Sequence, residues 1–268
     1  WPGFDLGIAV GILQESGTVS LRNLGNYYFY GELALDGTLR HVKGALSAAI
    51  HAKEQGARGI ILPESNGEEA AIVSDIDIIP CIDLTEVIGF LSGEFDVNPL
   101  RADYNEFFRS RDAIEIDFAD VKGQEHVKRA LTVAAAGSHN ILMVGPPGAG
   151  KTMLARRLPS VLPALSLEES IETTRTYSVA GMLSKPGLIT ERPFRSPHHT
   201  ISDVGLIGGG SNPKPGEVSL SHNGVLFLDE LPEFNRKTLE VLRQPIEDGK
   251  VTITRASRTV DYPSKITL

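Results

Sequence analysis

The sequence predicts an α/β protein built as two successive α/β units, and three observations carry that prediction. In residues 1–92, short apolar runs of strand type alternate with runs of helical type, the pattern of a parallel sheet with crossover helices. Residues 141–144, Ile-Leu-Met-Val, run straight into Gly145, Gly150, Lys151 and Thr152 at the spacing of a phosphate-binding loop, and helical periodicity follows. Residues 224–228, Gly-Val-Leu-Phe-Leu, form a second apolar strand. It delivers Asp229 and Glu230 at its C-terminal end, where ligands sit in open α/β sheets.

The elements follow in order. Residues 3–16 read as a buried helix that starts near Asp5 and stops at Gly17. Residues 27–35 are rich in strand formers, and Asp36-Gly37 signals a hairpin before residues 39–42. Tyr27, Tyr28, Phe29 and Tyr30 suit strand packing, with base stacking as the alternative. A helix over 45–55 ends at Gly56, and strands over 59–62 and 76–82 alternate with helices over 68–73 and 85–91. Residues 93–115 lack clear periodicity and read as a linker between a domain of residues 1–92 and one of residues 116–268. Residues 117–124 lead into a helix over 125–136, with Val127, Ala130, Leu131 and Ala134 on one face and Gly137 closing it.

A helix over residues 153–158 follows the loop and is ended by Pro159 and Pro163. Ser166 and Glu169 then start another helix with a capping-box pattern. Residues 184–217 are dense in Gly and Pro, and so long an irregular stretch inside a compact domain is usually functional. Asn235 caps a helix that runs through Ile246 to Gly249. Residues 251–255 and 258–262 alternate with period two around Ala256-Ser257 and read as a β-hairpin.

The chemistry concentrates at the loop and the acidic strand end. Residues Gly145, Pro146, Pro147, Gly148, Ala149, Gly150, Lys151, Thr152 and Met153 would curl around a phosphate, with backbone N–H groups and the helix N-terminus facing the anion. Lys151 would reach the β- and γ-phosphates, and the Thr152 hydroxyl and Asp229 would hold Mg2+. Glu230 would polarise the attacking water as the catalytic base. Taken singly, the loop could be a surface turn and the carboxylate pair a helix cap; together they define a nucleoside triphosphate site. His198 and His199 are adjacent in an extended segment and should point to opposite sides, which favours packing or hydrogen bonding over metal ligation. Arg255 and Arg258, near the hairpin tip, could contact DNA phosphates or serve as ordinary surface charge.

Bulk properties set the frame. A chain of 268 residues that is 41% hydrophobic and 22% charged is an ordinary globular protein of one or two domains. The net charge of −8 argues against nucleic-acid binding by bulk charge. Cys81 is the single cysteine, so an intrachain disulfide is excluded and no disulfide partner is expected. The sequence has neither a signal-peptide pattern nor an apolar run of about 18 residues, which points to a cytoplasmic protein with no membrane partner. The chain opens on Trp1 and stops in what reads as a strand just begun, the ends expected of a fragment.

Residues 145–152, 192–199, 216–234 and 242–249 together resemble the magnesium-chelatase-like AAA+ proteins of the competence protein ComM (YifB) group. The resemblance implies ATP and Mg2+ as cofactors and an AAA+ core of αβα type, truncated at both ends, with the hairpin at 250–262 as its pre-sensor element. Such proteins seat adenine near the segment matching Val121–Gly123, so Val121 and Gly123 are expected at the base. The implied activity is ATP hydrolysis by a homohexameric motor that remodels DNA by branch migration in natural transformation. The alternatives are a magnesium chelatase I-type ATPase that drives metal insertion, or a nucleotide-switched scaffold. Residues 31–37 and 59–63 resemble part of the ribosomal-S5/Lon-protease-like domain of this family. The stretch 3–7 has no Ser where a Lon protease has its nucleophile, and in the stretch 43–46 Leu46 stands where its catalytic Lys would be, so that domain is expected to be non-proteolytic. The family's sensor asparagine, arginine finger and lid would fall beyond Leu268, from which weak ATP binding and little turnover are expected of this chain.

Overall fold

The computed structural model describes residues 2–94, 96–102, 116–183, 187–210, 213–255 and 258–268. It is a mixed α/β protein with parallel sheets. The chain divides into two compact units, Trp1–Phe107 with Ser178–Leu188, and Phe108–Tyr177 with Ile189–Leu268. Residues 103–115, most of the expected linker, lie outside the described residues. Leu100, in the part that is described, bonds to Ile78 O at 2.9 Å and packs with the first unit.

The first unit contains α1 (Asp5–Glu15), β1 (Tyr27–Phe29), β2 (Glu32–Leu33), β3 (Leu39–Arg40), α2 (Ala45–Glu54), β4 (Gly59–Pro63), α3 (Gly67–Ala70), β5 (Asp77–Cys81) and α4 (Leu84–Ser92). Its parallel sheet has the order β1-β4-β5. A parallel sheet needs cover on both faces. Accordingly all five residues of β4 are buried, with Ile61 packed among Leu6, Val10, Val87 and Leu91 and with Ile60 and Leu62 among Ala49, Ala52 and Ala70. The Asp36-Gly37 turn closes the antiparallel β2–β3 pair as expected. Helix α1 is amphipathic rather than buried all round. Leu6 and Val10 enter the core while Ile8 and Ile12 lie exposed, because a helix laid on a sheet buries one stripe. Buried Cys81 is inert, its thiol pushed up to about 12 by desolvation and by the charges of Glu86 and Asp83.

The second unit starts with α5 (Glu125–Ala136), α6 (Lys151–Ala155), α7 (Leu158–Val161) and α8 (Leu167–Ala180), whose last residues belong with the first unit. Then come β6 (Phe194–Arg195), α9 (Asp203–Ile207), β7 (Gly208–Gly209), β8 (Lys214–Pro215), α10 (Glu217–Leu220) and β9 (Gly224–Leu226). The chain finishes with α11 (Arg236–Glu240), α12 (Arg243–Asp248), β10 (Lys250–Arg255), β11 (Arg258–Pro263) and β12 (Ile266–Thr267). Strands β12, β9 and β6 form a parallel sheet in that order. Gly224 permits this pairing, since a Cβ there would stand 2.1 Å from Pro193 O.

Three expected elements are corrected. Residues 141–144 are not a buried strand: Leu142 is 75% and Val144 89% exposed. Ile141 and Met143 do pack on the core of this unit, and Ile141 N bonds to Leu268 O at 2.8 Å, while Leu142 and Val144 between and after them stand in solvent. The helix expected over 153–158 divides into α6 and α7, with Pro159 in the first turn of the second piece, where its missing N–H costs nothing. The helix expected from Asn235 to Ile246 likewise divides at Val241–Leu242, because Pro245 cannot donate to the carbonyl one turn back.

The polar residues of the motif segments are structural locks. Arg192 donates to Asn223 O at 2.6 Å and to Glu169 Oε2 at 3.1 Å. Arg195 makes a two-pronged pair with Glu217, at 2.6 and 2.7 Å, which raises the guanidinium pKa further. Lys265 N donates to Nδ1 of buried His222, which leaves Nε2–H to donate to Glu172 at 2.8 Å.

Candidate functional site

The phosphate-loop residues 145–150 precede the first turn of α6. Gly148 and Gly150 hold the left-handed backbone, at φ 79° and 81°, that a non-glycine residue would adopt only with strain. The Lys151 side chain folds back over the loop, where Nζ donates to Gly145 O at 2.8 Å and to Pro146 O at 3.0 Å. Its ammonium therefore lies inside the curl that would cradle an anion. Gly145, Pro146, Pro147 and Gly148 are exposed, Ala149 is half-buried and Met153 is exposed at the rim.

The second group arrives from β9. The chain leaves the sheet after Leu226, Phe227 N bonds to Arg195 O, and Asp229 follows at the mouth of the strand. Thr152 Oγ1 donates to Asp229 Oδ2 at 2.6 Å, so two residues far apart in the sequence meet. A hydroxyl and a carboxylate converging beside a lysine are the oxygen donors that a hydrated Mg2+ takes, and the donor set fits that ion. Glu230 donates its N–H to Asp229 Oδ1 at 3.0 Å and has a left-handed backbone, φ 54°. Its side chain is 67% exposed, with His199 Nδ1 3.5 Å from Oε2.

The His199 contact was not foreseen from the sequence. The His198 and His199 rings do not diverge: their centroids are 4.0 Å apart, and His199 also meets the edge of Phe234. The segment turns at Thr200 and Ile201 rather than running extended, with Ile201 N bonded to His198 O, and this brings the two rings together. His198 Nδ1 lies 3.0 Å from Thr200 Oγ1, and among the described residues no group of three or more His, Cys, Asp or Glu side chains could hold a metal ion.

On the expected base side, Val121 is buried among Phe118, Leu131, Leu154 and Leu158, and Gly123 takes a φ of 71°. Gln124 follows with φ 57°, and its Nε2 donates to Ala149 O at 3.4 Å, so this segment borders the phosphate loop. Sequence reasoning missed Gln124; its position directly after a glycine at a helix start was the available signal. Arg255 and Arg258 face each other as the last rung of the β10–β11 hairpin, and residues 256–257 between them lie outside the described residues.

Comparison with known proteins identifies a family. The family model for magnesium chelatase, subunit ChlI, matches residues 117–268, and one for subunit ChlI of Mg-chelatase matches residues 2–66. The chain is 44% identical to the competence protein ComM of Haemophilus influenzae, over 99% of this chain and 52% of that protein. It is also 44% identical to YifB of Escherichia coli, over 99% of this chain and 51% of that protein. The chain thus spans about half the length of the curated relatives it matches. A solved complex of magnesium chelatase subunits BchI and BchD matches with a TM-score of 0.45 at 22% identity, over 57% of this chain and 53% of that one. Among the described residues no helix is long and apolar enough to cross a membrane. The chain belongs to the magnesium chelatase ChlI family.

Proposed function

We propose that this chain carries the nucleotide site of an AAA+ ATPase, binding ATP with Mg2+ at residues 145–153 and hydrolysing it from the side of Asp229 and Glu230. The observation that carries this reading is the 2.6 Å bond from Thr152 to Asp229, which unites the loop and the acidic strand end. Lys151, freed from Gly145 O and Pro146 O, binds the β- and γ-phosphate oxygens, and the loop N–H groups orient them. Thr152 and Asp229 hold Mg2+, which when bound supplies positive charge against the phosphate oxygens. Glu230, exposed and left-handed beside them, accepts the proton of the attacking water. Val121 and Gly123 form the base side. Residues 1–92, with no Ser in the stretch 3–7 and with Leu46 at the position that matches the Lon lysine, act as a non-proteolytic domain.

The work proposed for this ATPase is DNA remodelling by a homohexamer in the cytoplasm, as the 44% identity to a competence protein suggests. Arg255 and Arg258 at the hairpin end are the candidate DNA contacts. A second reading, a chelatase-type ATPase acting on a metal-insertion partner, is favoured by the match of residues 117–268 to the ChlI family model. DNA-stimulated ATP hydrolysis by the full-length protein separates the two. Stimulation that Arg255→Ala with Arg258→Ala abolishes supports the DNA motor, whereas a rate indifferent to every DNA structure rejects it.

A further inference from the structure

Arg157 joins the base side of the proposed site to its phosphate side. Residues 117–121 form a single tight turn. Asp117 Oδ1 accepts from Ala119 N at 2.7 Å, Asp120 Oδ2 accepts from Asp117 N at 3.0 Å, and the backbone closes through Asp120 N to Asp117 O and Val121 N to Phe118 O. These bonds shape the turn but stay within it. Phe118 and Val121 pack on Leu154 and Leu158, a greasy contact that holds the turn down without fixing its height along α6.

Arg157, just past the end of α6, supplies the directional link. Nε donates to Asp117 O at 2.9 Å, one terminal nitrogen to Met153 O at 3.1 Å, and the other to Asp120 Oδ2 at 3.3 Å. The Arg157 side chain is 15% exposed and Asp120 half exposed, so the guanidinium lies against the protein while its acceptors border solvent. One planar guanidinium thus ties a carbonyl of the helix that bears Lys151 and Thr152 to both ends of the turn that leads to Val121 and Gly123. Only a rigid fork can serve three acceptors set around it in this way.

We infer that Arg157 is a positioning residue for nucleoside recognition, setting the distance from the base-side wall to the phosphate loop without touching the phosphates. This rests on the ATP-site reading and adds a prediction of its own: loss of Arg157 impairs recognition of the nucleoside and leaves recognition of a bare polyphosphate intact. A merely structural arginine would weaken both alike.

The test is calorimetric titration of the full chain with ATP and, separately, with inorganic tripolyphosphate, each with Mg2+. Arg157→Ala is expected to weaken ATP by about tenfold and to leave tripolyphosphate within about twofold of wild type. Arg157→Lys, which cannot fork, and Asp120→Asn, which keeps the turn's own acceptor, should fall between. Equal weakening of both probes, or no change in either, overturns the inference. Lys151→Ala, which must weaken both probes, is the control for the reading beneath it. If neither probe binds wild type, or Lys151→Ala changes nothing, the ATP-site reading fails and the inference falls with it.

Discussion

Each unit centres on a three-stranded parallel sheet, yet the two treat their carboxylates in opposite ways. In the first unit Glu69 is 5% exposed and engaged on both oxygens: Oε1 accepts from Leu46 N and Ser178 Oγ, and Oε2 accepts from Asn66. In the second, Glu230 stands two-thirds in solvent on a left-handed backbone, with one histidine near it. A buried carboxylate with both oxygens engaged by the fold has little to offer a substrate. One kept open at a strand end, beside a lysine and a hydroxyl, has more. The contrast teaches that acidic residues of similar prominence in the sequence differ by how far the fold buries and engages them.

The sharpest break of this comparison is a pair of substitutions. Glu230→Gln should lower ATP turnover of the full-length protein by about 10²–10⁴-fold and leave the unfolding midpoint nearly unchanged. Turnover close to wild type would remove Glu230 from the chemistry. The next effect is on packing. Ile60→Ala, in a strand covered on both faces, should cost about 2–5 kcal/mol in urea unfolding, whereas Leu142→Ala, exposed before the loop, should cost less than about 0.5 kcal/mol. Equal losses would mean that Leu142 is packed like Ile60. Glu69→Ala should cost about 1–3 kcal/mol by leaving Leu46 N unmatched, with ATP affinity unaltered.

The smallest effect is on pH dependence. His222 is buried, and desolvation lowers its pKa against the opposing pull of Glu172. It is neutral in the fold, accepting from Lys265 N and donating to Glu172. Its contribution is therefore complete above the unfolded value of about 6.5 and is lost as pH falls through the lowered folded value. Denaturant midpoints across that window should fall with acid in wild type and more shallowly in His222→Gln. Parallel curves would show that another group carries the dependence.

Much of this was legible from the sequence because it is local. The all-apolar β4, the capping box at Ser166 and Glu169, and the Asp36-Gly37 turn each depend on neighbours in the chain. What depended on distant partners was not. Residues 141–144 have strand composition, yet Ile141 and Met143 pack inward while Leu142 and Val144 stay exposed. Helix α8 hid its inner face by burying Ser170, Thr173 and Thr174 instead of apolar side chains, and Thr174 Oγ1 closes onto Ser170 O. At the site, residue types identified the loop and the Asp-Glu pair. The positions of His199 and Arg157 came from turns whose partners lie well away in the chain.

The central claim, that Thr152 and Asp229 belong to one Mg2+–ATP site, is tested most directly by calorimetric titration of ATP with and without Mg2+. Wild type should gain affinity when Mg2+ is present, and Asp229→Asn should lose that gain while keeping the Mg2+-free affinity. ATP binding that ignores Mg2+ in both proteins, or that survives Lys151→Ala unchanged, would contradict the account.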